Sequence, residues 1–115
     1  MQEEALRDGS DPVTPHILVN TFVPKLGCTD DFLAMQLDDM RRLAASARGS
    51  GWLGNEVYRA ADGASVIVIT RFVNRQAKEA WTRRPEFSEH LKRISVMLED
   101  VRSVPATLVY VGRPD

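Results

Sequence analysis

The chain has one cysteine, Cys28, and two histidines, His16 and His90. A single thiol forms no intrachain disulfide, and so few thiols and imidazoles cannot build a structural zinc cluster. Asp38 and Asp39 fall within a helical pattern that has no metal-ligand spacing, so no metal is expected. An excess of either charge is also missing: 15 Lys plus Arg face 16 Asp plus Glu, which leaves no broad positive field for a nucleic acid. Long apolar runs are absent. None is longer than Val66 to Ile69, far short of the roughly 20 residues that span a bilayer, and the first residues hold no apolar signal core. These absences lead us to expect a cytoplasmic protein with neither nucleic acid nor membrane as partner. What remains suffices for one domain, since 115 residues at 43% hydrophobic content can enclose a core.

Residues 1–15 mix charge, Gly, Ser and two prolines without periodicity and read as a tail, which leaves 16–115 as the domain. Ile17 to Val23 is a first strand, closed by Pro24-Lys25-Leu26-Gly27. Cys28, beside Gly27, reads as a small residue in that turn. Thr29 is placed to cap a helix over about Asp30 to Ala47, with acidic residues early and arginines late, as the helix dipole favours. Its apolar stripe would be Leu33, Leu37, Met40, Ala44 and Ala47. After Gly49-Ser50-Gly51, Trp52 to Arg59 and Ser65 to Val73 read as strands joined by the hairpin signal Asp62-Gly63.

Asn74 can cap a second helix through Trp81, and Pro85 should break it before another amphipathic stretch, Pro85 to Glu99. The buried side of that stretch would be Phe87, Leu91, Ile94 and Leu98. Pro105 opens a last strand, Ala106 to Val111. The order β-α-β-β-α-β predicts an α+β, ferredoxin-like fold: a four-stranded antiparallel sheet with two helices on one face. Along the third strand Val66, Val68 and Thr70 alternate with Ile67, Ile69 and Arg71, so both faces of the sheet are apolar. A second copy of the chain is the expected cover for the helix-free face, giving a homodimer; a monomer with a ligand groove there is the alternative.

Residues 16–112 resemble the antibiotic biosynthesis monooxygenase family. The resemblance rests on Asn20 in the first strand, Gly51-Trp52-Leu53-Gly54, Asp62-Gly63, Arg71-Phe72-Val73, and Ala80-Trp81 followed by Phe87 and His90. It implies a dimeric α+β barrel that oxygenates a small aromatic or quinonoid molecule without cofactor. An electron-rich phenolate or carbanion can itself pass an electron to dioxygen, so the protein need only supply a dry pocket, a base and hydrogen bonds. It also implies Asn20, Trp81 and His90 as catalytic residues and Phe22, Arg71 and Phe87 as substrate contacts. The family's haem-degrading branch, which carries Asn, Trp and His at matching positions, would make His90 the iron ligand and haem the cofactor. A third reading is a non-enzymatic barrel dimer that binds a metabolite.

The residues themselves leave the site open. Asn20 shares a strand face with Leu18 and Phe22, so its amide needs a partner, either a neighbouring group of the chain or a substrate. Nine residues at about 100° each set Trp81 and His90 on opposite faces of a straight helix, and only a break at Pro85 would let them converge. Otherwise Trp81 packs in the core and His90 rides the solvated face beside Glu89. Arg71, Arg75, Arg83 and Arg84 either hold an anionic substrate or haem propionates, or form a solvated charged face.

Overall fold

The computed structural model describes residues 14–114. In chain order these form β1 (His16–Pro24), α1 (Thr29–Ala45), β2 (Trp52–Arg59), β3 (Val66–Phe72), α2 (Arg75–Thr82), α3 (Pro85–Ser95) and β4 (Leu98–Thr107). The strands make one antiparallel sheet in the order β2-β3-β1-β4. This is the expected ferredoxin-like α+β arrangement. Most of the tail assigned to 1–15 lies outside the described residues. Of its last two residues, Thr14 is buried and the Pro15 carbonyl accepts a hydrogen bond from the Leu108 amide.

Local chemistry explains the element boundaries. Asn74 caps α2 by accepting from the Ala77 amide at 2.8 Å, which satisfies one of the donors that a helix start leaves orphaned. α2 stops at Thr82, Arg84 is extended, and Pro85 opens α3 at a position where its missing N–H costs nothing. Gly51 precedes β2 with φ +87°, and a Cβ there would lie 2.7 Å from the Ala77 Cβ, so only glycine lets α2 sit this close to the start of β2.

Several boundary and facing expectations are corrected. The α1 cap position is Cys28, with no side-chain cap, and Thr29 is already helical. α3 ends at Ser95, not Glu99, and β4 begins at Leu98, well before Ala106; Leu98 belongs to the sheet. The buried stripe of α1 is Phe32, Gln36, Asp39 and Leu43, whereas Leu37 of the expected stripe is exposed. On α3 the buried residues are His90 and Ile94, while Leu91 is exposed. On both helices the face turned to the protein carries polar residues in its middle.

The core on the helix-covered face divides into two clusters. One joins Leu18, Leu43, Ala47, Phe72 and Trp81, with Phe87 and Trp52 packed against it. The other joins Phe22, Phe32, Val66, Val68 and Ile94. Asn20, between Leu18 and Phe22 on β1, enters neither cluster. On the opposite face Ile17 and Val19 of β1, Ile67 and Ile69 of β3, and Val104 and Ala106 of β4 form an apolar surface that no helix covers.

Candidate active site

The most polar contact inside the fold lies between α1 and α3. Asp39 and His90 are 4% exposed each, and His90 Nδ1 sits 2.8 Å from Asp39 Oδ2. The other carboxylate oxygen, Oδ1, accepts from Arg42 one turn along α1 and forms an ion pair with Arg93 on α3 at 3.1 Å. Burial alone would raise the Asp39 pKa, but hydrogen bonds from His90 and Arg42 and the positive charge of His90 and Arg93 outweigh it and hold the carboxyl below its ordinary value. Asp39 is therefore ionised near neutrality, and an ionised carboxylate only accepts. Nδ1 must carry a proton, which leaves Nε2 as the ring nitrogen that can take up or release the second. Nε2 has no hydrogen-bond partner among the described residues.

This pair opens on a groove of about 380 Å³. Asp39, Arg42, Leu43 and Ser46 of the α1 side line one wall, and Glu86, Glu89, His90 and Arg93 of α3 line the other. Its volume lies within the range of small-molecule sites. A histidine ring oriented by a buried carboxylate and lining such a groove is the arrangement a general base requires. Among the described residues no three His, Cys, Asp or Glu side chains are placed to hold a metal ion, and no helix is long and apolar enough to cross a membrane.

The remaining sequence-derived residues fall at separate places. Phe87 does accompany His90, its ring centroid 6.2 Å away, and bridges to the cluster that contains Trp81. Trp81 is buried, stacked on Trp52 at 6.0 Å, with the Arg84 guanidinium 5.1 Å from its ring centroid. The break at Pro85 turns His90 inward, yet Phe87 fills the space toward Trp81. Asn20 accepts a hydrogen bond from the Ser103 hydroxyl across the β1–β4 pairing. Phe22 packs on Phe32 at 5.2 Å, within the core. Arg71 lies on the helix-free face of the sheet, paired with Glu56 at 3.0 Å, so the sheet separates it from the groove.

The haem alternative needs Asn20, Trp81 and His90 around one porphyrin. Of the three, only His90 lines the groove, and Trp81 has Trp52 and Arg84 against its ring. These residues do not fit that group as they stand. Sequence reasoning missed Asp39, which it treated as a helix carboxylate without a role. The signal was present: Asp39 is seven residues from Phe32 and four from Leu43, on the same helical stripe.

Comparison with known proteins agrees with the fold. No curated protein sequence matches the chain. SnoaB of Streptomyces nogalater, a cofactor-independent oxygenase, superposes with a TM-score of 0.69 at 16% identity, covering 89% of this chain and 96% of its own. Rv0793 of Mycobacterium tuberculosis gives 0.68 at 16%, covering 89% and 100%. A candidate antibiotic biosynthesis monooxygenase from Nitrosomonas europaea gives 0.74 at 11%, covering 90% and 95%. Identities this low speak for the shared fold alone. The sequence model of the antibiotic biosynthesis monooxygenases matches residues 15–93, more than half of the chain, and the chain therefore belongs to the antibiotic biosynthesis monooxygenase family.

Proposed function

We propose that the protein is a cofactor-independent monooxygenase of a small hydroxyaromatic or quinonoid molecule, with His90 as the base. The observation that carries this reading is the buried Asp39–His90 pair at 2.8 Å, facing the groove between α1 and α3. A phenol or anthrone seated there loses its proton to Nε2, and Asp39 stabilises the imidazolium. The resulting anion gives one electron to dioxygen. Recombination of the radical pair forms a carbon–oxygen bond, and the peroxide loses water, with the His90 proton returned to the departing hydroxide. One substrate CH2 and one O2 become one carbonyl and one water.

Leu43 supplies an apolar part of the groove wall, and Phe87 packs on the His90 ring and helps to hold it in place. The working form is a homodimer, because the apolar surface of Ile17, Val19, Ile67, Ile69 and Val104 needs a cover and a second copy of the same surface provides one. Val19→Glu should shift the protein to a monomer in sedimentation experiments if that face is the interface.

Oxygen consumption by metal-stripped protein across a panel of hydroquinones and anthrones, with 18O2 as label, tests the activity. The expected result is uptake above blank with label in the product carbonyl. No uptake across the panel counts against the proposal.

A further inference from the structure

None of the four arginines that the sequence offers near the second helix lines the groove. Arg71 pairs with Glu56, Arg75 and Arg83 both reach Glu79, and Arg84 lies against the Trp81 ring with its Nη2 on the Ser46 carbonyl. The arginines that do line it are Arg42 and Arg93, and their surroundings differ. Arg42 meets two carboxylates, Asp38 at 3.1 Å and Asp39, to which it also donates a hydrogen bond. Arg93 meets Asp39 alone among the described residues, at 3.1 Å, and shares it with Arg42 and His90. That single contact leaves most of the Arg93 donor fork uncommitted. Its side chain is 47% exposed, so a ligand in the groove can reach it.

The groove also has a direction. Asp39 meets His90 and Arg93, whereas Ser46 receives Arg84 just before α3, so α1 and α3 run antiparallel along it. On the α3 wall the lining residues follow in the order Glu86, Glu89, His90, Arg93: two carboxylates, an imidazole, then a guanidinium. Arg93 stands three residues beyond His90 on the same helix face, about 4.5 Å along the axis. Accepting the groove as the substrate site, we propose that Arg93 holds the oxyanion of an ionised hydroxyaromatic whose ring lies along Leu43 toward Ser46. The hydroxyl O–H bond breaks, the proton passes to His90, and the electron pair stays on the oxygen as a phenolate. A guanidinium keeps its charge at every working pH and forms charge-assisted hydrogen bonds to such an oxygen. Glu86 and Glu89 disfavour an anion toward the start of α3, and Arg42 is already met by two carboxylates, so the order of charge selects the Arg93 end for the hydroxyl.

Titration of 4-nitrophenol bound to the full chain tests this assignment, because its phenolate absorbs visible light and its ring is too electron-poor to reduce dioxygen. The midpoint of the bound probe should lie about one pH unit below that of the free probe, as expected for an opposite charge within hydrogen-bond range. Arg93→Gln should return it toward the free value. Arg93→Lys should leave a shift between the two, because it keeps the charge and loses the fork. If Arg93 served only to clamp Asp39, its loss would leave that carboxylate less compensated beside the imidazole, favouring the imidazolium and with it the bound phenolate. The midpoint would then fall instead of rising. The proposal is overturned by absence of saturable binding, by a wild-type midpoint at or above the free one, or by an Arg93→Gln midpoint at or below the wild type. If circular dichroism shows that Arg93→Gln does not fold, Arg93→Lys takes its place, and a midpoint at or below the wild type overturns the proposal in the same way. The probe is read without turnover, so a lowered midpoint that depends on Arg93, together with absent oxygen uptake, would sink the oxygenase reading and leave the anion site in place. Uptake that depends on His90 with an unshifted midpoint would do the reverse.

Discussion

The two histidines are almost equally buried, His16 at 5% and His90 at 4% exposed, and yet they are opposites. His90 has a carboxylate on Nδ1 and a groove before it. His16, at the start of β1, has neither ring nitrogen hydrogen-bonded. Its pKa is lowered by burial and by the positive charges of Lys78 and Arg75, with Glu79 opposing, so it is a neutral packing residue. Burial alone therefore does not make a base. What distinguishes His90 is the carboxylate that fixes its tautomer, and that carboxylate is held ionised by the His90 hydrogen bond itself together with Arg42 and Arg93.

The comparison can be broken by exchanging what each histidine has. The largest effect is expected from His90→Gln, which removes the base and should lower oxygen uptake by about 10²- to 10⁴-fold, the usual contribution of general base catalysis, while the fold by circular dichroism is kept. Asp39→Asn should come next. The amide can accept from His90 through its oxygen but leaves Arg93 without a counter-charge and Arg42 with Asp38 alone, costing about 1–3 kcal/mol in urea unfolding and slowing uptake by more than its effect on substrate binding. A Asp39→Asn protein with wild-type turnover would contradict the positioning role.

Acid unfolding sharpens the contrast further. The His16 pKa is lower in the folded chain than its ordinary value of 6.5, so the unfolded state binds more protons and stability falls as pH drops below about that value. The Asp39 pKa lies below its ordinary 3.8, so its contribution is fully present above that value and is lost as pH falls through the folded pKa. His16→Leu should remove the first of these losses and leave the second, and its stability at pH 8 should stay within about 1 kcal/mol of wild type, since an apolar group replaces two unpartnered nitrogens. A His16→Leu protein that still loses as much stability as the wild type between pH 7 and pH 5 would contradict this assignment. The smallest effect is expected for Arg71→Ala, whose half-exposed pair with Glu56 should contribute less than about 1 kcal/mol to the unfolding of the chain.

The fold was legible because β-branched apolar runs, the Asp62-Gly63 hairpin, Asn74 and Pro85 each act through local chemistry that sequence displays directly. The site was legible only in part. Treating apolar residues as the buried side of α1 selected Leu33, Leu37 and Met40, when the true stripe runs through Gln36 and Asp39. The same rule favoured Leu91 over His90 on α3. Both errors have one cause: polar residues occupy the middle of the two faces that meet, and a hydrophobic pattern cannot register polar groups that satisfy each other across 51 positions of sequence. The β4 boundary failed differently. Most of Leu98–Thr107 is exposed and charged or polar in pattern, as an edge strand tolerates, and lacks the alternation that marks a strand buried on one side.

The most direct measurement compares steady-state oxygen uptake by the wild type, His90→Gln and His16→Gln on the hydroxyaromatic that the wild type turns over best, under metal-free conditions. The account predicts that uptake collapses in His90→Gln and persists in His16→Gln. Equal uptake by His90→Gln and the wild type would contradict it.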